Sequence, residues 1–352
     1  VNVERRLTSA ARNAHQTWTT RAACILTLES ENGTRGFGEA SPLPGFSSDT
    51  LADCHSALSA LDVSALPASL EGEESVLEEL RRASSLLPQR LPAARAALEA
   101  ALLDLWSRAA GKPAWALLVE AGTRPEPRAV AALLTGDPER VLADAVHARA
   151  RGLETFKLKI GRAGKLEREL ALLCELRQSV GAAARLRLDA NQSFTVQQAE
   201  RCLPRFAEYD IELAEEPCPF AELSLLSSPV PLALDESLSL LDPRREAHGR
   251  VELRFASALI LKPALLGGVS ACHAWSRVAA RIGATVILSH TFDGPLGLAL
   301  SATLALSLGS ECIAHGLDVA GARLEQPNLP FFSGAHIQPW SESGLGVQQA
   351  EP

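Results

Sequence analysis

The sequence contains no methionine, no Cys-x-x-Cys pair and no unbroken apolar run of membrane-spanning length. Without a methionine at position 1, the first residue need not be the natural start. The opening stretch "VNVERRLTSA" has no apolar signal-peptide core, so the expected location is the cytoplasm. Seven cysteines, an odd number, are scattered at positions 24, 54, 174, 202, 218, 272 and 312. That spacing speaks against a disulfide framework and for reduced, mostly buried thiols. Basic residues are in deficit, 34 Lys and Arg against 42 Asp and Glu, for a net charge of −8. Such a balance excludes a general nucleic-acid or anionic-membrane surface but leaves room for a local cationic pocket. No strand candidate is followed by a Gly-rich phosphate turn, which disfavours a dinucleotide-binding open sheet.

What is present is a folded-protein composition: 47% hydrophobic residues and a mean hydropathy of +0.06 over 352 residues. That length suits one large domain with a smaller one. The first third reads as a mixed unit. "AACILTLES" and "TRGFGEAS" are strand candidates around the turn "ENG". The clearest helix is "PAARAALEAALLDLWSRAAG", with Pro92 near its start and Gly111 at its stop; its alanines and leucines predict packing rather than chemistry.

From about residue 128 the pattern becomes a regular beat of short apolar strands and amphipathic helices. The strand candidates are "RAVAALLTG", "TFKLKIG", "LRLDANQ", "IELAEEP", "PLALDES", "ALILKP", "TVILSH" and "ECIAHGLD". Eight strands in βα alternation predict a closed parallel barrel of the α/β class, with an open doubly wound sheet as the runner-up. The tail from about residue 325, rich in Gly, Pro and Ser, is expected to pack back on the N-terminal unit.

A barrel of this kind carries its chemistry at the C-terminal ends of its strands. Lys159, Asp189, Glu215, Asp235, Lys262 and His290 fall at those ends, each about one βα repeat, roughly 30 residues, after the last. Any one of the three carboxylates alone reads as an N-cap for the helix that follows. Three on successive strands, flanked by lysines, point instead to a hard divalent cation, Mg²⁺ rather than zinc. In "TFKLKIG", Lys157 and Lys159 alternate with Phe156, Leu158 and Ile160, so the lysine face is the barrel interior. Arg187, Asp189 and Asn191 repeat the alternation on the next strand. Burial and a nearby cation predict lysine pKa values lowered toward a useful base, with Lys157 repelling Lys159 in the same direction.

These residues resemble a known family. "KLK" at 157–159, "LDAN" at 188–191, "EEP" at 215–217, "DES" at 235–237 and "LKP" at 261–263 resemble the muconate-lactonising branch of the enolase superfamily. "GFGEASPLPGFSSDTL" and "HGLD" at 315–318 resemble the o-succinylbenzoate synthases within it. The resemblance implies a modified (β/α)7β TIM-type barrel at 126–324. It also implies an α+β capping domain at 1–125, completed by the tail 325–352. Mg²⁺, with Mn²⁺ able to substitute, would sit on Asp189, Glu215 and Asp235, leaving Glu216 and Glu236 in supporting roles. The implied reaction is dehydration of 2-succinyl-6-hydroxy-2,4-cyclohexadiene-1-carboxylate to o-succinylbenzoate, a step of menaquinone biosynthesis. Lys159 would remove the proton beside the carboxylate and return it to the leaving hydroxide, while Lys262 would stabilise the anion. Pro44, Gly45 and Phe46 would close over the ligand. Lys157, Arg187, Asn191, Ser289, His290, Gly294 and Gly316 complete the expected contacts to a small carboxylate substrate. His290 alone could equally be a packed, hydrogen-bonded histidine, and Arg187 could simply pair with a neighbouring acid.

Two lysines on opposite faces also equip a racemase or epimerase. Family dipeptide epimerases carry an Asp-x-Asp near the last strand, where "HGLDVAG" offers only Asp318. An N-acylamino-acid racemase differs mainly in its loops. A barrel kept only for ligand binding would be expected to lose its metal ligands, and here all three stand.

Overall fold

The computed structural model describes residues 1–12, 16–67, 70, 75–161, 166–246, 253–309, 312–318, 320 and 329–347. Its N-terminal unit is a three-stranded antiparallel sheet of β1 (Asn2–Arg12), β2 (Thr17–Glu29) and β3 (Arg35–Ala40). The last two contain the strand candidates, with "ENG" in the connecting turn. Strand β1, with its mixed charges, lacks a clear alternating pattern and has no counterpart among the sequence-based candidates.

The helix Pro92–Ala109 lies across this sheet, and Gly111 follows it at φ +63°. Gly36 and Gly38 of β3 permit that contact. A Cβ at either would stand 2.2 Å from the Ala101 carbonyl or 1.9 Å from that of Ala97. This helix does more than fill space. Its buried Glu99 accepts hydrogen bonds from the Ser270 backbone and hydroxyl, across to the helix Val269–Ile282. Its buried Asp104 accepts from the backbone N–H groups of Phe37 and Leu345 and from Arg108. Strand, helix and tail are joined through one carboxylate.

Next in the chain, β4 (Arg128–Ala129) pairs with β13 (His336–Ile337) of the tail, which pairs in turn with β12 (Phe332–Ser333). Seven parallel strands follow in spatial order: β5 (Ala131–Leu134), β6 (Thr155–Lys159), β7 (Arg185–Asp189), β8 (Ile211–Glu215), β9 (Leu232–Leu234), β10 (Ala256–Leu261) and β11 (Thr285–Leu288). The eighth candidate, "ECIAHGLD", is reduced to single bridges. His315 pairs with Val130 and Gly316 with Ser289, which carries the ring from β11 back to its start. Glu311, the first residue of that candidate, lies outside the described residues, as do 325–328 and 348–352 of the tail.

Alternation along the strands divides the apolar residues into two sets. Phe156, Leu158, Leu186 and Leu188 face the surrounding helices in the main core. Leu213, Ala233, Ala258, Ile260 and Ile287 form a separate small cluster inside the barrel. The interior above that cluster is left to polar groups. Five of the seven cysteines, Cys24, Cys54, Cys202, Cys218 and Cys272, are buried. Among the described residues, no helix is long and apolar enough to cross a membrane.

Candidate active site

Parallel register sets the chemistry at one height. Lys159 is the cross-strand partner of Asp189, and Asp189 is the partner of Glu215. Asp235 follows the last residue of β9, and Lys262 the last of β10. Asp189, Glu215 and Asp235 are buried, and each offers an oxygen within 4.8 Å of the others.

Each of Lys157, Lys159 and Lys262 holds one of these carboxylates. Lys157 Nζ is 2.9 Å from Glu215 Oε2 and 3.3 Å from Asp189 Oδ2. Lys159 donates to Asp189 Oδ2 and to Asn191 Oδ1, both at 2.6 Å. Lys262 donates to Asp235 Oδ2 at 2.5 Å, from the opposite side of the trio.

At two of these lysines the carboxylates oppose burial. Burial alone would lower Lys157, but Glu215, Asp189 and Asp235 hold it above its ordinary value. Lys262 is raised likewise, against its burial, by Asp235. At both ammoniums the facing carboxylates act more strongly than burial and in the other direction. Among the acids, burial pushes Asp189 up, yet Lys159 and Lys157 bring it well below the usual carboxylate range. Glu215 is raised, first by burial and then by Asp189 and Asp235 despite Lys157.

The donor set fits a hard divalent ion. Asp235 Oδ1 is buried with no hydrogen-bond partner, and three mutually repelling carboxylates converge where water is scarce. Oxygen ligands of this kind suit Mg²⁺ or Mn²⁺.

Behind the trio, Glu216 accepts from the backbone N–H groups of Asp235 and Ser237 and from the Ser237 hydroxyl. It fixes the loop that presents Asp235. Asn191 Nδ2 donates to Glu236 Oε1 at 3.3 Å. Asn191, Gln192, Glu216 and Phe292, all near the mouth, have positive φ without being glycine. Backbone in that region costs about 1–3 kcal/mol per residue and tends to be kept where function requires it.

A cavity of about 800 Å³, including its open mouth, lies above the trio. Of the residues singled out in the sequence, Phe46, Lys157, Lys159, Arg187, Asn191, Glu215, Lys262, Ser289, His290 and Gly316 line it. Pro44, Gly45 and Gly294 do not. The Pro44 carbonyl is taken by the Trp18 indole N–H at 3.1 Å. Gly45 forms the turn at φ +75° that brings Phe46 inward, its ring 5.2 Å from Lys262 Nζ. Gly294 N–H donates to Glu39 Oε1 of β3, so this residue joins barrel to cap instead of facing substrate.

Trp18, Leu43, Thr291, Phe292 and Asp318 also line the cavity and were not among the expected contacts. Trp18 and Phe292 face each other across the cap–barrel boundary with ring centroids 6.3 Å apart. No local pattern could have found them, because each matters through a long-range contact. Arg21 completes that seam: fully buried, it donates to the carbonyls of Ser41, Pro42 and Phe292.

Three wall residues define the far side. His290 Nδ1 accepts the Phe292 backbone N–H at 2.9 Å, which leaves the proton of the neutral ring on Nε2. Burial, then Lys262 and Lys157, lower its pKa to about 3, so it is a neutral donor at physiological pH. Arg187 gives Nε to Glu212 and Nη1 to the Ala314 carbonyl, while its buried Nη2 has no protein partner. Asp318 is held by Arg151 through both oxygens, at 2.9 and 2.7 Å.

Comparison with known proteins agrees with this geometry. Residues 1–119 match the family model "Mandelate racemase / muconate lactonizing enzyme, N-terminal domain", and 140–351 match "Enolase C-terminal domain-like". The L-Ala-D/L-Glu epimerase of Bacillus subtilis is 27% identical over 92% of each chain. Its substrate-liganded structure superposes with a TM-score of 0.84, covering 98% of this chain and 96% of that one. The o-succinylbenzoate synthase of Pectobacterium atrosepticum is 30% identical over 94% of this chain and 90% of its own. A dipeptide epimerase from Methylococcus capsulatus, solved with Mg and the dipeptide L-Arg-D-Lys, is 25% identical with a TM-score of 0.81 over 98% and 97% of the two chains. With both of its parts matched, the chain belongs to the mandelate racemase and muconate lactonizing enzyme family of the enolase superfamily.

Proposed function

We propose that this Mg²⁺-dependent enolase-superfamily enzyme is an o-succinylbenzoate synthase. Its substrate would be 2-succinyl-6-hydroxy-2,4-cyclohexadiene-1-carboxylate, a dicarboxylate without an ammonium group. One observation carries the choice over dipeptide epimerisation. Outside the metal trio, the one carboxylate among the described cavity residues is Asp318, and Arg151 already engages both of its oxygens. The remaining polar wall is neutral or cationic: the His290 Nε2 proton, the Ser289 hydroxyl, which donates to the Gly316 carbonyl at 3.3 Å, and the buried Arg187 guanidinium behind them. That set suits a second substrate carboxylate and a ketone better than a free amine.

Asp189, Glu215 and Asp235 would hold the ion, whose positive charge lowers the cost of charge building on the substrate carboxylate. Once its own proton has passed to solvent, Lys159 as the neutral amine takes the ring proton beside that carboxylate, and the C–H electron pair moves into the carboxylate as an enediolate. The same proton then goes to the departing hydroxyl as its C–O bond breaks, releasing water and leaving the aromatic ring. Lys262 keeps its proton and offsets the negative charge from the other side. Its contact with the Phe46 ring keeps it under a roof that limits water.

A racemase reading stays in view because Lys159 and Lys262 approach the trio from opposite sides, the arrangement two-sided proton exchange needs. The test is an assay for o-succinylbenzoate formation beside α-proton exchange on N-succinyl amino acids and dipeptides. Dehydration faster than any exchange supports the synthase. Exchange of both enantiomers without dehydration overturns it.

A further inference from the structure

We infer that Arg151 is a specificity-determining residue: it occupies the Asp318 carboxylate that would otherwise receive a substrate ammonium, and so keeps free-amine substrates out of the active cavity. The inference rests on the proposed function only in taking the cavity to hold an enolisable carboxylate beside the metal trio.

Asp318 is 5% exposed and lines the active cavity. It also lines a second cavity, outside the barrel, together with Leu133 and Arg151. The carboxylate therefore stands in the wall between the two spaces. Arg151 caps the C-terminus of the helix Pro138–Ala150 and reaches Asp318 from the outer side. Nη1 to Oδ1 is 2.9 Å and Nη2 to Oδ2 is 2.7 Å, a planar two-point match. The Asp318 hydrogen bond in turn raises the Arg151 pKa, so the guanidinium stays charged.

A bidentate pair of this kind presents almost no net charge to the active cavity. A substrate ammonium arriving there meets a carboxylate whose charge is already matched, and it would have to shed its own water for little return. Removing the guanidinium leaves a nearly buried carboxylate facing the substrate, and a substrate ammonium is then the cation that can reach it. The structure thus assigns Arg151 a role in exclusion, exerted through Asp318 and without contact to substrate.

The test reads α-proton exchange in D₂O by NMR, using L-Ala-L-Glu and its N-acetyl derivative with Mg²⁺ present. Wild type, Arg151→Met, Arg151→Lys and the double variant Arg151→Met/Asp318→Asn are compared. Arg151→Met should raise exchange of the free-amine dipeptide by about tenfold or more, without a matching gain for the acetylated one. Arg151→Lys and the double variant should show no such gain. If Arg151→Met does not fold, Arg151→Gln, which keeps a hydrogen bond without the charge, carries the same comparison. No gain in a folded variant overturns the inference, as does an equal gain for both substrates, which would mean a merely loosened pocket. Wild-type o-succinylbenzoate formation is measured alongside. Its absence together with an Arg151→Met gain would refute the synthase reading and leave the Arg151 inference standing.

Discussion

Lys159 and Asp189 are cross-strand partners in β6 and β7, and the Lys159 ammonium lies 2.6 Å from Asp189 Oδ2. The group proposed to move the proton is thus positioned by a proposed metal ligand. Asn191 holds the same ammonium from a second point, 2.6 Å away. Base and ion would therefore be set at a fixed separation by the pitch of two neighbouring strands, before any substrate arrives.

Asp189→Ala should abolish Mg²⁺ binding measured by calorimetry, because it removes one of three convergent ligands and frees Lys157 and Lys159 to repel the ion. Asp235→Asn should weaken binding but leave the fold, since Glu216 anchors the loop through backbone N–H groups. Wild-type affinity in Asp189→Ala would contradict the metal site.

At the lid, the structure separates two neighbours. Phe46 reaches the cavity, whereas Gly45 makes the turn, and a Cβ on Gly45 would meet the Gln16 side chain at 2.1 Å. Phe46→Ala should raise KM or lower kcat with an unchanged melting temperature. Gly45→Ala should reproduce that loss by displacing Phe46. Steady-state kinetics checks both, and wild-type values in Phe46→Ala would mean the loop does not roof the substrate.

Acid should destabilise the fold through His315. Its Nδ1 accepts the Leu288 N–H at 3.1 Å, and burial, then Arg187 and Arg128, lower its pKa to about 3. The unfolded value is near 6.5. Between these values the unfolded chain binds a proton that the folded chain refuses, so stability falls as pH drops from about 6.5 toward 3. The slope from one such group is at most about 1.4 kcal/mol per pH unit. Denaturant unfolding at several pH values should give a shallower dependence in His315→Gln than in wild type. Equal slopes would contradict the assignment.

The barrel was legible because its strands are short, apolar and regularly spaced, and because a period of two puts Lys157, Lys159, Arg187 and Asp189 on one face. The metal trio followed from its position at strand ends. What escaped the sequence depends on contacts between distant segments. Strand β1 forms by pairing with β2, and the last barrel strand shrinks to single bridges because the ring closes there with little length to pair. Trp18 and Phe292 enter the cavity only once cap and barrel meet. The alanine-rich helix packs as its composition predicts, but its Glu99 and Asp104 carboxylates are also fully buried connectors. Asp318 was visible as a residue; that Arg151 already holds it was not. Nor does the sequence state how close the carboxylates lie to Lys157 and Lys262, where they outweigh burial.

The two lysines differ in what each is expected to do, and substitution separates them. Lys262→Arg should retain part of the dehydration activity through its charge, although arginine does not reproduce the geometry of an ammonium. In a racemase the same change would stop exchange from one enantiomer only. Proton exchange in D₂O with both enantiomers of an N-succinyl amino acid distinguishes the cases.

The most direct measurement is the rate of o-succinylbenzoate formation from 2-succinyl-6-hydroxy-2,4-cyclohexadiene-1-carboxylate, with Mg²⁺, in wild type and in Lys159→Ala. A single residue acting as base and then acid predicts efficient turnover in wild type and a loss of about 10²–10⁴-fold or more in the variant. Dehydration within tenfold of wild type in Lys159→Ala, or no dehydration by the wild-type enzyme, would contradict the account.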